Sequence, residues 1–162
     1  MRSGVLAAGL AFAVGCGSSS SSGGARQCTM IGTRIGVGVE IAAAYAERTT
    51  TAHMRACAGD VCRESEVRLS PSTVSVPGPC TGEVCMAQAT PTGAKNGFLD
   101  MPGLTGAPLR VSLTLSDAAG AEVLVREADV TPAESYPNGP DCGSGGFQAG
   151  VAVAADGSFA AR

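Results

Sequence analysis

The clearest pattern in the chain is Leu109-Arg110-Val111-Ser112-Leu113-Thr114-Leu115, where apolar and polar residues alternate without a break. Alternation with period two puts the apolar set on one face of a strand and the polar set on the other, so this segment predicts a half-buried strand. Ser116-Asp117-Ala118-Ala119-Gly120 carries turn chemistry, and Val123 and Val125 resume the alternation, which predicts a hairpin. Ile35, Val37, Val39 and Ile41 alternate earlier in the chain. Phe147, Ala149, Val151 and Val153 alternate near its end, before an Asp156-Gly157 turn. Weaker strands are expected over 50–57, 62–69, 84–89 and 128–131. Pro71, Pro77, Pro79, Pro91, Pro102 and Pro108 punctuate the middle and rule out a long helix there. Residues 40–48 have good helix propensity and are expected to form one turn between two strands.

Seven or eight short strands separated by turn signals predict an all-β fold, a disulfide-stapled sandwich of antiparallel strands. The hairpin with its Asp-Ala-Ala-Gly turn resembles those of bacterial immunoglobulin-like modules. The resemblance implies an immunoglobulin-like β-sandwich, without the buried tryptophan of antibody domains, since the chain has no tryptophan.

The amino terminus has a different character. Arg2 precedes an apolar stretch from Val5 to Val14, about the length of a signal-peptide core and too short to span a bilayer, which takes about 20 residues. Gly15 and Cys16 follow, then Gly17 and a run of five serines to Ser22. Ala13-Val14-Gly15-Cys16 resembles the lipobox of bacterial lipoproteins, although that family usually has leucine at the position of Ala13. The resemblance implies a signal peptide over 1–15, cleavage before Cys16, and a diacylglycerol thioether on its sulfur. Residues 16–27 would then be the lipidated cysteine and its tether, and 28–162 a single β-sandwich domain. Gly17 to Gln27 is eleven residues of mostly Gly/Ser chain, with a root-mean-square span of about 18 Å. The expected location is therefore the cell membrane or outer membrane, on the extracytoplasmic side, with the membrane itself as the first partner.

Removal of residues 1–15 takes away one of eleven basic side chains and leaves ten against fourteen acidic ones, a net charge near −4. That balance disfavours nucleic acid, which is bound by clustered Lys and Arg. Five aromatic residues beyond residue 27 are too few for stacking platforms. The core must come from Val, Leu, Ile and Ala, with Met30, Met54, Met86 and Met101 as filler.

Seven cysteines less Cys16 leave six, and a secreted chain is expected to oxidise them to three disulfides. Cys57-Ala58-Gly59-Asp60-Val61-Cys62 and Cys80-Thr81-Gly82-Glu83-Val84-Cys85 are near copies of one another. Four residues between the cysteines suit a tight turn, and facing positions of a hairpin lie within disulfide reach. The expected pairs are Cys57–Cys62 and Cys80–Cys85, with Cys28–Cys142 following by elimination. A zinc site would use closer pairs and a redox site a Cys-x-x-Cys, so no metal or other cofactor is expected.

His53 is the sole histidine. Alternation puts it opposite Ala52, Met54 and Ala56, towards solvent. Glu64 and Glu66 flank Ser65 on one strand face and are expected to solvate it. No nucleophile elbow or calcium-loop spacing occurs. The long loop from Tyr136 to Gly146 is the candidate binding element, with Tyr136, Asn138 and Asp141 as its contact residues. The resulting expectation is a lipid-anchored, extracytoplasmic, non-enzymatic binding or structural module with an envelope protein as a possible partner. A small-ligand or metal-binding lipoprotein is the alternative, and an unrecognised hydrolase the third reading.

Overall fold

A computed structural model of the chain describes residues 28–162 apart from Met30. The signal peptide, Cys16 and the Ser/Gly tether expected over 1–27 lie outside the described residues.

Ten strands form among the described residues, with one α-helical turn. In chain order they are β1 (Gly36–Ile41), α1 (Ala43–Ala46), β2 (Thr51–Ala58), β3 (Val61–Val67), β4 (Ser70–Thr81) and β5 (Val84–Asp100). There follow β6 (Leu109–Ser116), β7 (Glu122–Val130), β8 (Ala133–Ser135), β9 (Gly146–Val153) and β10 (Phe159–Ala161). One sheet has the order β10-β9-β1-β5-β4, with β8 also on β9, and curls into a mixed half-barrel. The other has the order β3-β2-β6-β7.

The inner faces of the sheets enclose one cluster of nineteen buried apolar residues. Val37, Val39 and Ile41 come from β1, Val151 and Val153 from β9, and Leu109, Val111, Leu113 and Leu115 from β6. Ala52, Met54 and Ala56 of β2 face them and leave His53 and Arg55 outside. The period-two pattern therefore translates directly into the core. The helical turn α1 sits at the crossing from β1 to β2. Its last carbonyls are occupied: Tyr45 O accepts from the Arg48 amide at 3.2 Å and from the Thr49 hydroxyl at 2.8 Å, and Ala46 O accepts from the Thr49 amide at 3.3 Å.

Four expectations need correction. The strands are not all antiparallel, because β1 runs parallel to β9, with Val39 opposite Val151. The strand expected over 84–89 is part of a longer hairpin: β5 runs for 17 residues, and β4, which was not expected, for 12. Prolines are tolerated there because β4 is a sheet edge, and the ladder breaks register between Pro71 and Thr73 and between Pro77 and Cys80. On β7 the inward residue is Leu124, while Val125 is 46% exposed. An irregularity after the Leu115–Leu124 pair shifts the phase by one residue. Met86, expected in the core with Met54 and Met101, is instead 64% exposed.

The cysteines pair as Cys28–Cys142, Cys57–Cys62 and Cys80–Cys85. Each short bridge closes a hairpin at facing positions. Gly59 and Gly82, at φ +57° and +63°, make the two turns possible. The two similar tips lie at opposite ends of the sandwich. Val61 and Cys62 share a shallow dish with Met101 and Pro102, at the Gly36 end of β1. From there β3 runs back and continues into β4, crossing so close to β5 that a β-carbon at Gly97 would collide with Val67. The Cys80–Cys85 tip lies beyond the Ile41 end, since β1 pairs β5 only from Lys95 to Asp100.

Candidate functional site

The loop 136–146 is a clasp. The Asn138 side-chain oxygen accepts from Thr29 Oγ1 at 2.6 Å and from the Ile31 amide at 3.1 Å, and its amide nitrogen donates to Ile31 O at 2.9 Å. Its amide group is therefore committed to the incoming chain rather than turned to solvent. Tyr136 donates its hydroxyl proton to Glu134, and that hydrogen bond raises the phenol pKa. Asp141 lies in a short 3-10 turn, Pro140–Cys142, next to the Cys28–Cys142 bridge. Gly145 N donates to Ser135 O at 2.8 Å and closes the loop. The three residues thus lie along one loop with different neighbours, and Asn138 fastens Thr29 and Ile31 to the connection between β8 and β9.

His53 is exposed on the outer face of the four-stranded sheet, between Glu66 on β3 and Thr114 on β6. Glu64 and Glu66 are also exposed, and Glu64 lies 3.5 Å from Arg55. Arg110 and Asp129 pair at 3.2 Å nearby, which holds the guanidinium above its ordinary pKa. Across the molecule, the Arg34–Asp100 hydrogen bond holds that carboxyl below its usual value, and the guanidinium stacks 4.2 Å from the Phe98 ring centre. Among the described residues no three His, Cys, Asp or Glu side chains converge as a metal site would require.

The outer face of the curled sheet carries a shallow, open groove of about 460 Å³. Gly38 and Gly150 contribute to its floor, and Phe98, Glu134, Gln148 and Arg162 surround it. Arg162 is engaged with Glu40 at 2.6 Å.

The feature that sequence reading missed is the outer part of the β4–β5 hairpin. Residues 81–93 are all exposed, and none of the nineteen core residues lies between Ser70 and Ala94. At about 3.3 Å per residue the hairpin stands out roughly 30 Å from the body. Val74 pairs with Thr90 and Val76 with Gln88, which puts all four side chains on one face. Met86 and Val84 continue that face at two-residue spacing. Val74, Val76, Val84 and Met86 are 50%, 45%, 71% and 64% exposed. Single exposed apolar residues are ordinary, but four on one face of a projecting arm form a patch of the kind that marks an interaction surface. Its signal in the sequence is Glu83 standing as the sole charge between Ser70 and Ala94.

Comparison with known proteins returned no match to a family model, a curated protein or a solved structure. The functional reading therefore rests on this chain's own residues.

Proposed function

We propose that this chain is a lipid-anchored, extracytoplasmic, non-enzymatic binding or structural module of the cell envelope. Acylated Cys16 holds it to the membrane, and the β4–β5 arm is the element it presents. The observation that carries the reading is the set of three disulfides. They consume all six cysteines from Cys28 onward, which suggests an oxidising, extracytoplasmic compartment. Cys16 is left over, directly after an apolar run and before a flexible polar tract.

The geometry supports a division of labour. The chain enters beside β8 and β9, where Cys28 and Asn138 fasten it, and the arm leaves from the other end of the sandwich. A tether at one end and an apolar arm at the other suit a module that reaches away from its membrane. An immunoglobulin-like arrangement belongs to the same proposal, supported by the β6–β7 hairpin and its Asp117 turn, where Asp117 Oδ1 accepts from the Ala119 and Ala121 amides at 2.8 and 2.9 Å.

Detergent phase separation of the full-length protein tests the anchor. Wild type is expected in the detergent phase, and Cys16→Ser is expected to accumulate as an unprocessed precursor or to be released. Wild type recovered wholly from the aqueous phase as a processed chain would overturn the proposal. The groove beside Phe98 favours a second reading, a small-ligand lipoprotein. Calorimetric titration of metabolite pools against wild type and Gln148→Ala separates the two, since only the second reading predicts heat lost with Gln148.

A further inference from the structure

Among the described residues, strand β5 has a neighbour on one side only between Val84 and Thr90. β4 covers one edge, and β1 takes up the other edge only from Lys95 onward. A free edge presents unpaired backbone N–H and C=O groups to any incoming strand, and proteins usually guard it with charge, proline or a bulge. The β4 edge is guarded in this way by Pro71, Pro77 and Pro79 and by two breaks in register. The β5 edge is not: Val84-Cys85-Met86-Ala87-Gln88-Ala89-Thr90 contains no charge and no proline.

We propose that this edge pairs with the same edge of a second copy of the chain, antiparallel about Ala87, so that two arms join into one four-stranded sheet. Two observations select a second copy as the occupant. First, the segment is compatible with itself. A two-fold axis at Ala87 puts Val84 opposite Thr90 and Met86 opposite Gln88, with no like charges facing. Glu83, the arm's one charge, falls outside the paired stretch. Second, a two-stranded ribbon without a packed face is marginal in water, whereas three or more strands with an apolar face are stable. Pairing supplies those strands. The joined sheet would carry Val74, Val76, Val84 and Met86 of both copies on one continuous face. The contact is small beside the roughly 800 Å² per partner of a stable interface, so the association is weak and depends on local concentration. Attachment to a membrane would raise that concentration, but the pairing itself does not require the anchor.

Cysteine crosslinking of the full-length protein in its own membrane or in detergent tests this. Ala87→Cys is expected to give a covalent dimer with a short bismaleimide, and Ala119→Cys, in the distant β6–β7 turn, is not. In the Ala87→Cys background, Met86→Glu with Gln88→Glu sets carboxylates opposite one another and is expected to lower the dimer yield about tenfold or more. Met86→Lys with Gln88→Glu sets opposite charges there and is expected to restore it. Both positions are exposed, and mapping of the three native disulfides confirms that each variant folds. Absence of a dimer at Ala87→Cys, or equal yields from both charge variants, would overturn the proposal. Crosslinking of Ala87→Cys to a different protein would equally overturn it, and would assign the edge to that chain.

Discussion

The arm can be cut away to ask whether it serves the fold. Thr73 and Pro91 face each other across the ladder, so residues 74–90 can be replaced by Asn-Gly, which suits a two-residue hairpin turn. The buried cluster loses no member, since its residues nearest in sequence are Val67 and Leu99. The four large apolar side chains removed are already 45–71% exposed. The Cys80–Cys85 bridge constrains only the segment being deleted. Shortening the connection from seventeen residues to two lowers its closure entropy by (3/2)RT ln(17/2), about 1.9 kcal/mol in favour of the variant. Loss of the outer ladder offsets part of this. The expected net change lies between about −1 and +2 kcal/mol. Urea unfolding followed by far-UV circular dichroism would show a midpoint shift of at most about 1 M at a slope near 2 kcal/mol/M. A loss of more than about 3 kcal/mol would show that the arm is structural support for the body, and would remove the reason for treating it as a presented element.

Leu113→Ala is expected to cost about 3–5 kcal/mol, because the side chain is fully buried mid-strand, while Thr114→Ala on the opposite face should cost under about 0.5. Equal midpoint shifts would refute the strand phase. Opening Cys28–Cys142, whose residues are 114 apart, should cost about 5 kcal/mol in the chain-entropy model, against about 2 for Cys80–Cys85, whose residues are 5 apart. Asn138→Ala should cost about 1–2 kcal/mol and speed amide exchange at Ile31, by removing the clasp's hydrogen bonds. Asp100, bonded to Arg34, and Asp156, bonded to the Ser158 amide, both have depressed pKa values. Their stabilisation is complete above the ordinary aspartate value of 3.8 and is lost as pH falls through the lower folded values. Asp100→Asn and Asp156→Asn should each flatten the acid limb of the unfolding curve below that pH and leave the neutral region unchanged in slope.

Much of the architecture was legible because burial follows period two. Leu109 to Leu115, Val37 to Ile41 and Val151 to Val153 are core for the reason their spacing gives, and residues 43–46 form the single turn that alanine-rich sequence favours. What escaped reading depends on neighbours distant in sequence. Nothing local to Val39 says that its partner is Val151, or that the pair runs parallel. Val125 was out of phase because a ladder irregularity forms only when β6 and β7 meet. The prolines from Pro71 to Pro91 argue for loop in isolation, yet at a sheet edge they cost little and protect the strand. Met86 looks like core filler by residue type, and only the hairpin's projection leaves it in water. In the candidate site, the loop holding Tyr136, Asn138 and Asp141 stood out by its length, its one aromatic residue and its cysteine. The role of Asn138 as a clasp on Thr29 and Ile31 did not, because it joins segments more than a hundred residues apart. The arm was readable in principle from its lack of charge.

Intact mass spectrometry of the protein extracted from native membranes tests the proposal that a lipid on Cys16 holds this domain at the envelope. The expected species is a mature chain that begins at Cys16, carries a thioether-linked diacylglycerol on its sulfur, and is lighter by six hydrogens than the reduced chain because three disulfides are closed. A chain beginning elsewhere with an unmodified Cys16, or lacking residue 16 altogether, would contradict it.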